Sequence, residues 1–149
     1  MAYARVNWED LPSTNTPINA ENLNKMDMQI EQNTNDIANI IESGSNETGE
    51  WIKYADGRLI TTHKVTRTLS RTSSWGNMYE TDQQADLGQY PVAFKGTPYI
   101  FLTLYGQNAI LEAVNNPTET NAGLVYLLAP TSNSSANYTI QVLAIGRWK

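Results

Sequence analysis

The sequence predicts a mainly β protein with one N-terminal α-helix, in which a trimeric coiled-coil stalk precedes an antiparallel β-sandwich or barrel head. Three observations predict it. Apolar residues recur at heptad spacing in residues 23–43, alternation of apolar and polar residues follows Gly49, and turn signals separate the alternating runs. The expected organisation is an extended arm at 1–18, a coiled-coil helix at 19–44 and a β head at 45–149.

The arm carries three apolar residues spaced by polar ones, ahead of a segment with two prolines. Pro12 and Pro17 disfavour helix in the residues before them, which favours an extended chain. We predict that Val6, Trp8 and Leu11 dock this arm along a groove. The groove lies either on the protein's own assembly or on a partner ring, and the sequence leaves both alternatives open.

The helix has recognisable signals at both ends. Asn19 is a good N-cap, and Glu21 places negative charge in the first turn, so the helix is expected to start at Ala20. Gly44 predicts its end at Ser43, because glycine closes helices in the left-handed conformation. The polar residues that follow predict a flexible hinge.

The apolar stripe of this helix is narrow and follows a heptad seam. A stripe of that width cannot be buried against its own chain, so it is expected to pack against copies of itself. Isoleucine at both seam positions favours three chains over two, and the amide of Asn33 fixes the register. A single amphipathic helix packed on its own domain is the alternative. The predicted trimerisation residues are Leu23, Met26, Ile30, Asn33, Ile37 and Ile40.

The head begins with a hairpin signal. Residues 51–55 alternate, Asp56-Gly57 is a strong two-residue turn, and residues 58–66 return as the second strand. The run from Tyr99 to Tyr105 has one aliphatic and one largely aromatic face. Further strands are predicted at 124–128 and 138–145. We expect core positions at Trp51, Phe94 and Trp148.

Composition excludes several classes of function. The 15 acidic and 10 basic residues give a net charge of -5, which disfavours a nucleic acid partner. The absence of Cys and the single His63 exclude thiolate metal sites and sites with two imidazoles, so no metal is expected. No apolar run is long enough for membrane insertion, and the start has no signal-peptide core. Synthesis in a cytoplasm is therefore expected.

The most informative binding segment is the polar run from Arg71 to Tyr90, which holds several aromatic residues. Aromatic rings stack on the apolar face of a pyranose, while amides and carboxylates bond its hydroxyls. The candidate glycan-binding residues there are Trp75, Asn77, Tyr79, Asp82 and Gln83, and a second candidate tip contains Tyr105, Gln107 and Asn108. Trp75 at a core edge is the alternative.

Catalysis is not expected. Glu80, Asp82 and Asp86 supply carboxylates for glycoside hydrolysis, but they lie in a polar stretch that predicts a solvated loop. His63 lies within a predicted strand, where an exposed or subunit-contacting histidine is expected. We therefore predict a protein that is not an enzyme.

Several runs resemble a known protein family. The run from Ser13 to Asn24 resembles the opening of many phage baseplate and tail-fibre proteins. Residues 49–57 resemble the first hairpin of tail-fibre tip domains, residues 90–98 their middle segment, and residues 144–148 their end. The run Ile30-Glu31-Gln32-Asn33-Thr34 is similar to the Ile-x-x-Asn-Thr signature of trimeric phage fibres and bacterial adhesins. In that family the ring of asparagines encloses an anion, so the resemblance implies no cofactor beyond an anion at the Asn33 layer.

The resemblance implies a homotrimeric phage tail-fibre or baseplate receptor-binding protein. Residues 1–17 would dock to other phage tail or baseplate proteins, and the head would bind a host cell-surface saccharide. The protein would be made in the host bacterial cytoplasm and reside in the virion. The sequence departs from long side fibres because it has almost no shaft, which favours a short spike or baseplate tip. A structural virion fibre or connector with no ligand of its own is the alternative.

Overall fold

A computed structural model describes residues 20–106 and 108–149, and it describes residues 36–38 by their backbone alone. The predicted docking residues Val6, Trp8 and Leu11, the predicted ligand residue Gln107 and the side chain of Ile37 lie outside the described part of the chain. Two compact units divide between Ile41 and Glu42.

The described residues form one helix and eleven antiparallel strands, with the helix first. These elements are α1 (Ala20–Ala38), β1 (Ile40–Ser45), β2 (Gly49–Tyr54), β3 (Arg58–Arg71), β4 (Ser73–Trp75), β5 (Met78–Glu80), β6 (Ala85–Asp86), β7 (Tyr99–Tyr105), β8 (Ile110–Leu111), β9 (Leu124–Val125), β10 (Leu127–Ala129) and β11 (Asn133–Arg147). The mainly β composition and the antiparallel pairing that the sequence predicts are confirmed.

The predicted seam residues of α1 differ in their exposure. Met26 and Ile30 are 62% and 46% exposed, and Leu23 is half-buried. Asn33 is exposed, and its Oδ1 accepts a hydrogen bond from Gln29 Nε2 at 2.8 Å. The coiled coil and its number of chains stay predictions.

The predicted helix end at Ser43 is wrong, because α1 ends at Ala38 and β1 begins at Ile40. Two adjacent β-branched residues, Ile40 and Ile41, favour the strand. Ile40, predicted as the last seam residue of the coiled coil, therefore lies in β1.

Gly44 has a packing role instead of closing the helix. A Cβ on Gly44 would lie 2.6 Å from the ring of Trp51, so only glycine fits there. The predicted flexible hinge is also wrong, because the following residues form a hydrogen-bonded turn between β1 and β2. Asn46 N donates to Gly49 O at 2.9 Å, and Asn46 Oδ1 accepts from the amides of Thr48 and Gly49.

Five strands form the main sheet, in the order β1-β2-β3-β11-β7. The predicted hairpin is confirmed: β2 pairs with β3 through Asp56-Gly57, where Gly57 has φ 90°. Strand β11 pairs with β3 along most of its length and with β7 on its other side. The predicted strand at 99–105 is confirmed with the same bounds.

Two smaller sheets cover the inner face of the main sheet. One has the order β4-β5-β10-β8, and the other pairs β6 with β9. The predicted strand at 124–128 is thereby divided, because β9 and β10 belong to different sheets.

The core lies between the main sheet and these smaller sheets. It contains Leu59 from β3, Tyr138 and Ile140 from β11, and Leu127 from β10. The predicted core position of Phe94 is confirmed, since its ring is buried and meets Tyr90 edge to face at 4.9 Å.

Trp51 and Trp148 are half-buried and pack against this core. Trp148 Nε1 donates to the carbonyl of Tyr54 at 3.0 Å, and this bond ties the end of the chain to the first hairpin. The predicted packing of both rings is confirmed.

Candidate ligand-binding surfaces of the head

The main sheet has two distinguishable ends. Near the first, Glu42 accepts hydrogen bonds from Trp51 Nε1 at 2.9 Å and from Lys53 Nζ at 2.8 Å. This end, next to the turn between β2 and β3, is called the proximal end. Strand β3 runs away from it for 14 residues, or about 46 Å at roughly 3.3 Å per residue. Its distal end is at Arg71, next to the β4–β5 hairpin.

The β4–β5 hairpin presents the most exposed tryptophan of the described head. Trp75 is 55% exposed and pairs with Met78 across a turn made by Gly76 and Asn77. Gly76 has φ 61°, which suits a tight hairpin turn. Tyr79 is half-buried, between Ser74 of β4 and Ala129 of β10. The predicted alternative of Trp75 at a core edge is wrong, because its ring faces solvent.

Asp82 holds the base of this hairpin. Its carboxylate accepts hydrogen bonds from the hydroxyl of Ser70, from the amide and hydroxyl of Thr72 and from the amide and hydroxyl of Ser73. Hydrogen bonds from Ser70, Thr72 and Ser73 hold the pKa of Asp82 well below its usual range. Asp82 was predicted as a glycan ligand in a solvated loop, and both of its oxygens already have partners within the chain. Gln83, beside it, is exposed.

An open groove of about 940 Å³ lies on the outer face of the main sheet. Its floor comes from the outward side chains of β3 and β11, and its walls are the β1–β2 turn and the end of β7. The lining residues are Ser45, Asn46, Glu47, Thr48, Gly49, Glu50, Thr62, His63, Lys64, Tyr105, Gly106, Asn137, Thr139 and Gln141. Hydroxyls, amides and carboxylates thus surround one exposed aromatic ring.

Tyr105 is the aromatic member of the groove. Its ring is 50% exposed, and its hydroxyl donates to Gln141 Oε1 at 2.8 Å. This bond fixes the ring over the neighbouring strand. Asn108, predicted to act with Tyr105, is exposed but does not line the groove.

The charges that line the groove are two carboxylates, Glu47 and Glu50, and one ammonium, Lys64. An excess of negative charge disfavours a polyanionic ligand, because like charges repel. The groove therefore suits a neutral or amino-bearing ligand that is rich in hydroxyls.

His63 is buried, so the predicted exposed or subunit-contacting histidine is wrong. It retains only 5% exposure, its Nε2 lies 2.8 Å from the carbonyl of Leu87, and its ring meets Tyr90 edge to face. Burial lowers the pKa of His63 below 6.5, because the charged imidazolium is poorly solvated there. The side chain is thus held as a neutral donor to Leu87.

The three carboxylates considered for hydrolysis lie on β5, on β6 and in the segment between these strands. Asp82 closes the hairpin base, and Asp86 accepts a hydrogen bond from the amide of Gly88 at 2.8 Å while facing Arg67. Glu80 lies within β5. In residues 20–106 and 108–149, no group of three His, Cys, Asp or Glu side chains is placed to hold a metal ion. The helix of the described chain is not long and apolar enough to cross a membrane.

Sequence reasoning missed most of the groove. Asn46, Lys64, Asn137 and Gln141 come from separate segments that only the strand pairing brings together. The available signal was the outward polar alternation of β3 and β11, which indicated solvent exposure without showing that the two strands are neighbours.

Similarity to known proteins is found only among solved structures. No protein-family model matches the chain, and no curated protein matches it. Among solved structures, an N-truncated R1-type pyocin tail fibre is similar, with 18% identity and a TM-score of 0.46, over 77% of this chain and 93% of that one. A C-terminal piece of the P. aeruginosa R1 pyocin fibre has 18% identity and a TM-score of 0.41, over 75% of this chain and 30% of that one.

Proposed function

We propose that this chain is a tail-fibre or baseplate tip subunit of a phage or phage-like particle and that its head binds a host cell-surface saccharide. The particle assignment is supported by the runs at 13–24 and 49–57, which resemble phage baseplate and tail-fibre proteins. The role is binding without hydrolysis.

The observation that carries the saccharide proposal is the groove around Tyr105. A pyranose offers an apolar ring face and several hydroxyls, so it needs an aromatic surface beside hydrogen-bonding groups. The groove supplies the ring of Tyr105 next to the amides of Asn46, Asn137 and Gln141 and the hydroxyl of Thr139. The bond from Tyr105 to Gln141 holds the ring in place before binding, which reduces the ordering cost.

The groove replaces the Trp75 segment as the leading site. Saccharide sites are concave, whereas Trp75 is exposed on a hairpin and does not line the groove. Asp82 is engaged within the chain. Trp75 remains an exposed ring on the β4–β5 hairpin, away from the groove.

We further propose that the subunit is a homotrimer. Three grooves would then act together, and such avidity can exceed the affinity of one site by roughly a hundredfold or more. Docking of residues 1–17 to other tail or baseplate proteins and an anion at the Asn33 layer complete the proposed assembly.

The test is saccharide binding by the full chain, first on an array of bacterial surface glycans and then by calorimetry with the strongest ligand. Tyr105→Ala is expected to weaken binding at least about tenfold, or about 1.4 kcal/mol. Trp75→Ala is the matched control, because it removes an aromatic side chain of similar exposure at a different place.

Each outcome is decisive. If Tyr105→Ala loses saccharide binding and Trp75→Ala retains it, the groove is supported as the binding site. The reverse pattern would show that the saccharide binds at the β4–β5 hairpin and would contradict the proposal that it binds in the groove. Silence of the wild-type chain across the array supports a structural fibre or connector without a ligand.

A further inference from the structure

Three buried polar atoms on the inner side of the main sheet have no hydrogen-bond partner among the described protein groups. They are Thr61 Oγ1, His63 Nδ1 and the hydroxyl oxygen of Tyr90. The three residues retain only 0%, 5% and 6% exposure. Burial of a hydroxyl or an imidazole nitrogen without a hydrogen bond is costly, and such atoms in native proteins are nearly always paired with protein groups or ordered water. Each of the three atoms is therefore expected to have a partner other than these protein groups.

Strand β3 places two of these atoms on one face. Leu59, Thr61 and His63 are alternate, buried residues of the strand, so all three point inward and successive ones lie roughly 6.6 Å apart along it. The level of Leu59 is marked by Phe94. Gly146 pairs with Leu59, and a Cβ on Gly146 would lie 2.7 Å from the ring of Phe94.

Tyr90 lies across the same part of the strand. Its ring meets the ring of His63 edge to face at 6.0 Å and the ring of Phe94 edge to face at 4.9 Å. The ring of Tyr90 therefore lies between the levels of His63 and Phe94, which is where Thr61 stands on the strand. The three atoms without partners thus share one part of the core.

The donors and acceptors of the three side chains match a single water molecule. Burial lowers the pKa of His63, so its ring carries one proton, and that proton is on Nε2 because the carbonyl of Leu87, 2.8 Å away, can only accept. Nδ1 therefore presents a lone pair, while the hydroxyls of Thr61 and Tyr90 can each donate or accept. A water that donates to Nδ1 and to one hydroxyl, and accepts from the other, satisfies all three. Buried waters typically make about three such bonds.

The same three side chains disfavour a larger or a charged occupant. Each residue is more than nine-tenths buried, so an organic ligand would have to displace the core around it. A metal ion is disfavoured because the set offers one imidazole nitrogen and neither carboxylate nor thiolate. Burial also raises the pKa of Tyr90 to about 12, so its hydroxyl stays protonated and neutral.

We propose that Thr61, His63 and Tyr90 hold one buried water molecule between β3 and residues 87–94. The water completes the hydrogen bonding of all three side chains and joins the hydroxyl of Tyr90 to the strand. It is a structural ligand of the head, bound without any contribution from a partner molecule.

The segment that this water supports also contacts the wall of the groove. The carbonyl of Pro91, the residue after Tyr90, accepts a hydrogen bond from Asn46 Nδ2 at 2.9 Å, and Asn46 lines the groove. On the other side of Tyr90, the carbonyl of Leu87 is bound by His63. The water therefore stabilises the part of the chain that holds Asn46. Water binding requires no saccharide, so it can be tested whatever the groove binds.

The direct test is a crystal structure of the full chain at a resolution that shows ordered waters. One water is expected within about 3.2 Å of Thr61 Oγ1, His63 Nδ1 and the Tyr90 hydroxyl oxygen. A structure with no water within that distance of the three atoms, or one in which the three side chains bond each other directly, would overturn the proposal.

Urea unfolding at one protein concentration distinguishes hydroxyls that bind a water from hydroxyls that are buried unpaired. Thr61→Val and Tyr90→Phe each remove one hydroxyl and leave a side chain of similar shape. With a bound water, each variant is expected to lower the folding equilibrium constant about threefold to tenfold, because a hydrogen bond is lost. With unpaired hydroxyls, each variant would leave that constant unchanged or raise it, since the cost of burying the hydroxyl is removed. That second result contradicts the water site.

The double variant tests whether one water serves both hydroxyls. It is expected to resemble the more destabilised single variant, because the second substitution acts on a water that is already lost. Full additivity would show that the two hydroxyls have separate partners and would overturn the shared water.

Two matched controls remove hydroxyls outside the site. Thr62→Val changes the next residue of β3, which points to the outer face, and Tyr99→Phe changes a ring that is 79% exposed. Each is expected to change the folding equilibrium constant less than about twofold. Losses in the controls as large as those in Thr61→Val and Tyr90→Phe would show that the effect is not specific to the buried site.

Discussion

The hydroxyl of Tyr105 donates a hydrogen bond to the side-chain oxygen of Gln141 at 2.8 Å, joining β7 to β11 on the outer face of the sheet. The two residues are not directly paired, because Tyr105 lies opposite Thr139 and Gln141 opposite Thr103. The ring of Tyr105 therefore leans along the sheet over the next row. Its position in the groove is set by a residue 36 positions away in the sequence.

This bond predicts a graded effect of substitutions on saccharide binding. Tyr105→Phe keeps the ring but loses its anchor, so binding is expected to weaken about two- to fivefold, less than with Tyr105→Ala. Gln141→Ala is expected to have a similar effect, and the double variant should be no weaker than the stronger single one. Calorimetry of the four proteins measures the coupling. If the losses of binding free energy in Tyr105→Phe and Gln141→Ala add fully in the double variant, the hydrogen bond does not position the ring.

The strands of the head were predictable where local chemistry determines them. Asp56-Gly57 requires a tight turn between two alternating runs, and Tyr99 to Tyr105 shows an aliphatic and an aromatic face within seven residues. The aliphatic side chains Ile100, Leu102 and Leu104 do pack against the core, as the alternation predicts.

The features that were missed depend on partners remote in sequence. Gly44 indicated a helix end because glycine commonly closes helices, but its actual neighbour is the ring of Trp51 in the next strand. His63 alternates with polar residues, so only the packing of Leu87 and Tyr90 against β3 explains its burial. The groove was missed for the same reason, because its floor comes from strands that are paired in space but separated along the chain.

Asp82 predicts acid sensitivity of the distal hairpin. Its pKa is lowered by hydrogen bonds from Ser70, Thr72 and Ser73, so its contribution to stability is complete above the unfolded value near 3.8 and is lost as the pH falls below that value. Asp82→Ala is expected to lower the midpoint of thermal unfolding at pH 7 and to reduce the acid sensitivity below about pH 4. Glu47→Ala, an exposed carboxylate of the β1–β2 turn, is the control. Equal midpoints for wild type and Asp82→Ala at pH 7 would contradict the role assigned to this carboxylate.

The two tryptophans Trp148 and Trp75 are expected to differ in how much they contribute to stability. Trp148 packs against the core and donates to the carbonyl of Tyr54, so Trp148→Ala is expected to reduce the free energy of unfolding by about 2 to 4 kcal/mol. Trp75 is 55% exposed, and Trp75→Ala is expected to change it by less than about 0.5 kcal/mol. Urea unfolding followed by circular dichroism at one protein concentration measures both. Similar losses for the two variants would show that Trp75 has a packing role.

His63 predicts a pH dependence above the range in which Asp82 titrates. Burial lowers its pKa, so the unfolded chain takes up a proton first as the pH falls below about 6.5. The free energy of unfolding should therefore be constant from pH 8 to about 6.5 and decrease as the pH falls further, until the pKa of the folded state is reached. His63 is the sole histidine of the chain, so no other side chain with an ordinary pKa titrates in this range.

His63→Gln keeps a donor for the carbonyl of Leu87 and removes the titration. Urea unfolding at pH 8, 7, 6 and 5 should give a decreasing free energy for the wild-type chain and a flat profile for the variant. Parallel profiles would show that the pH dependence comes from another group.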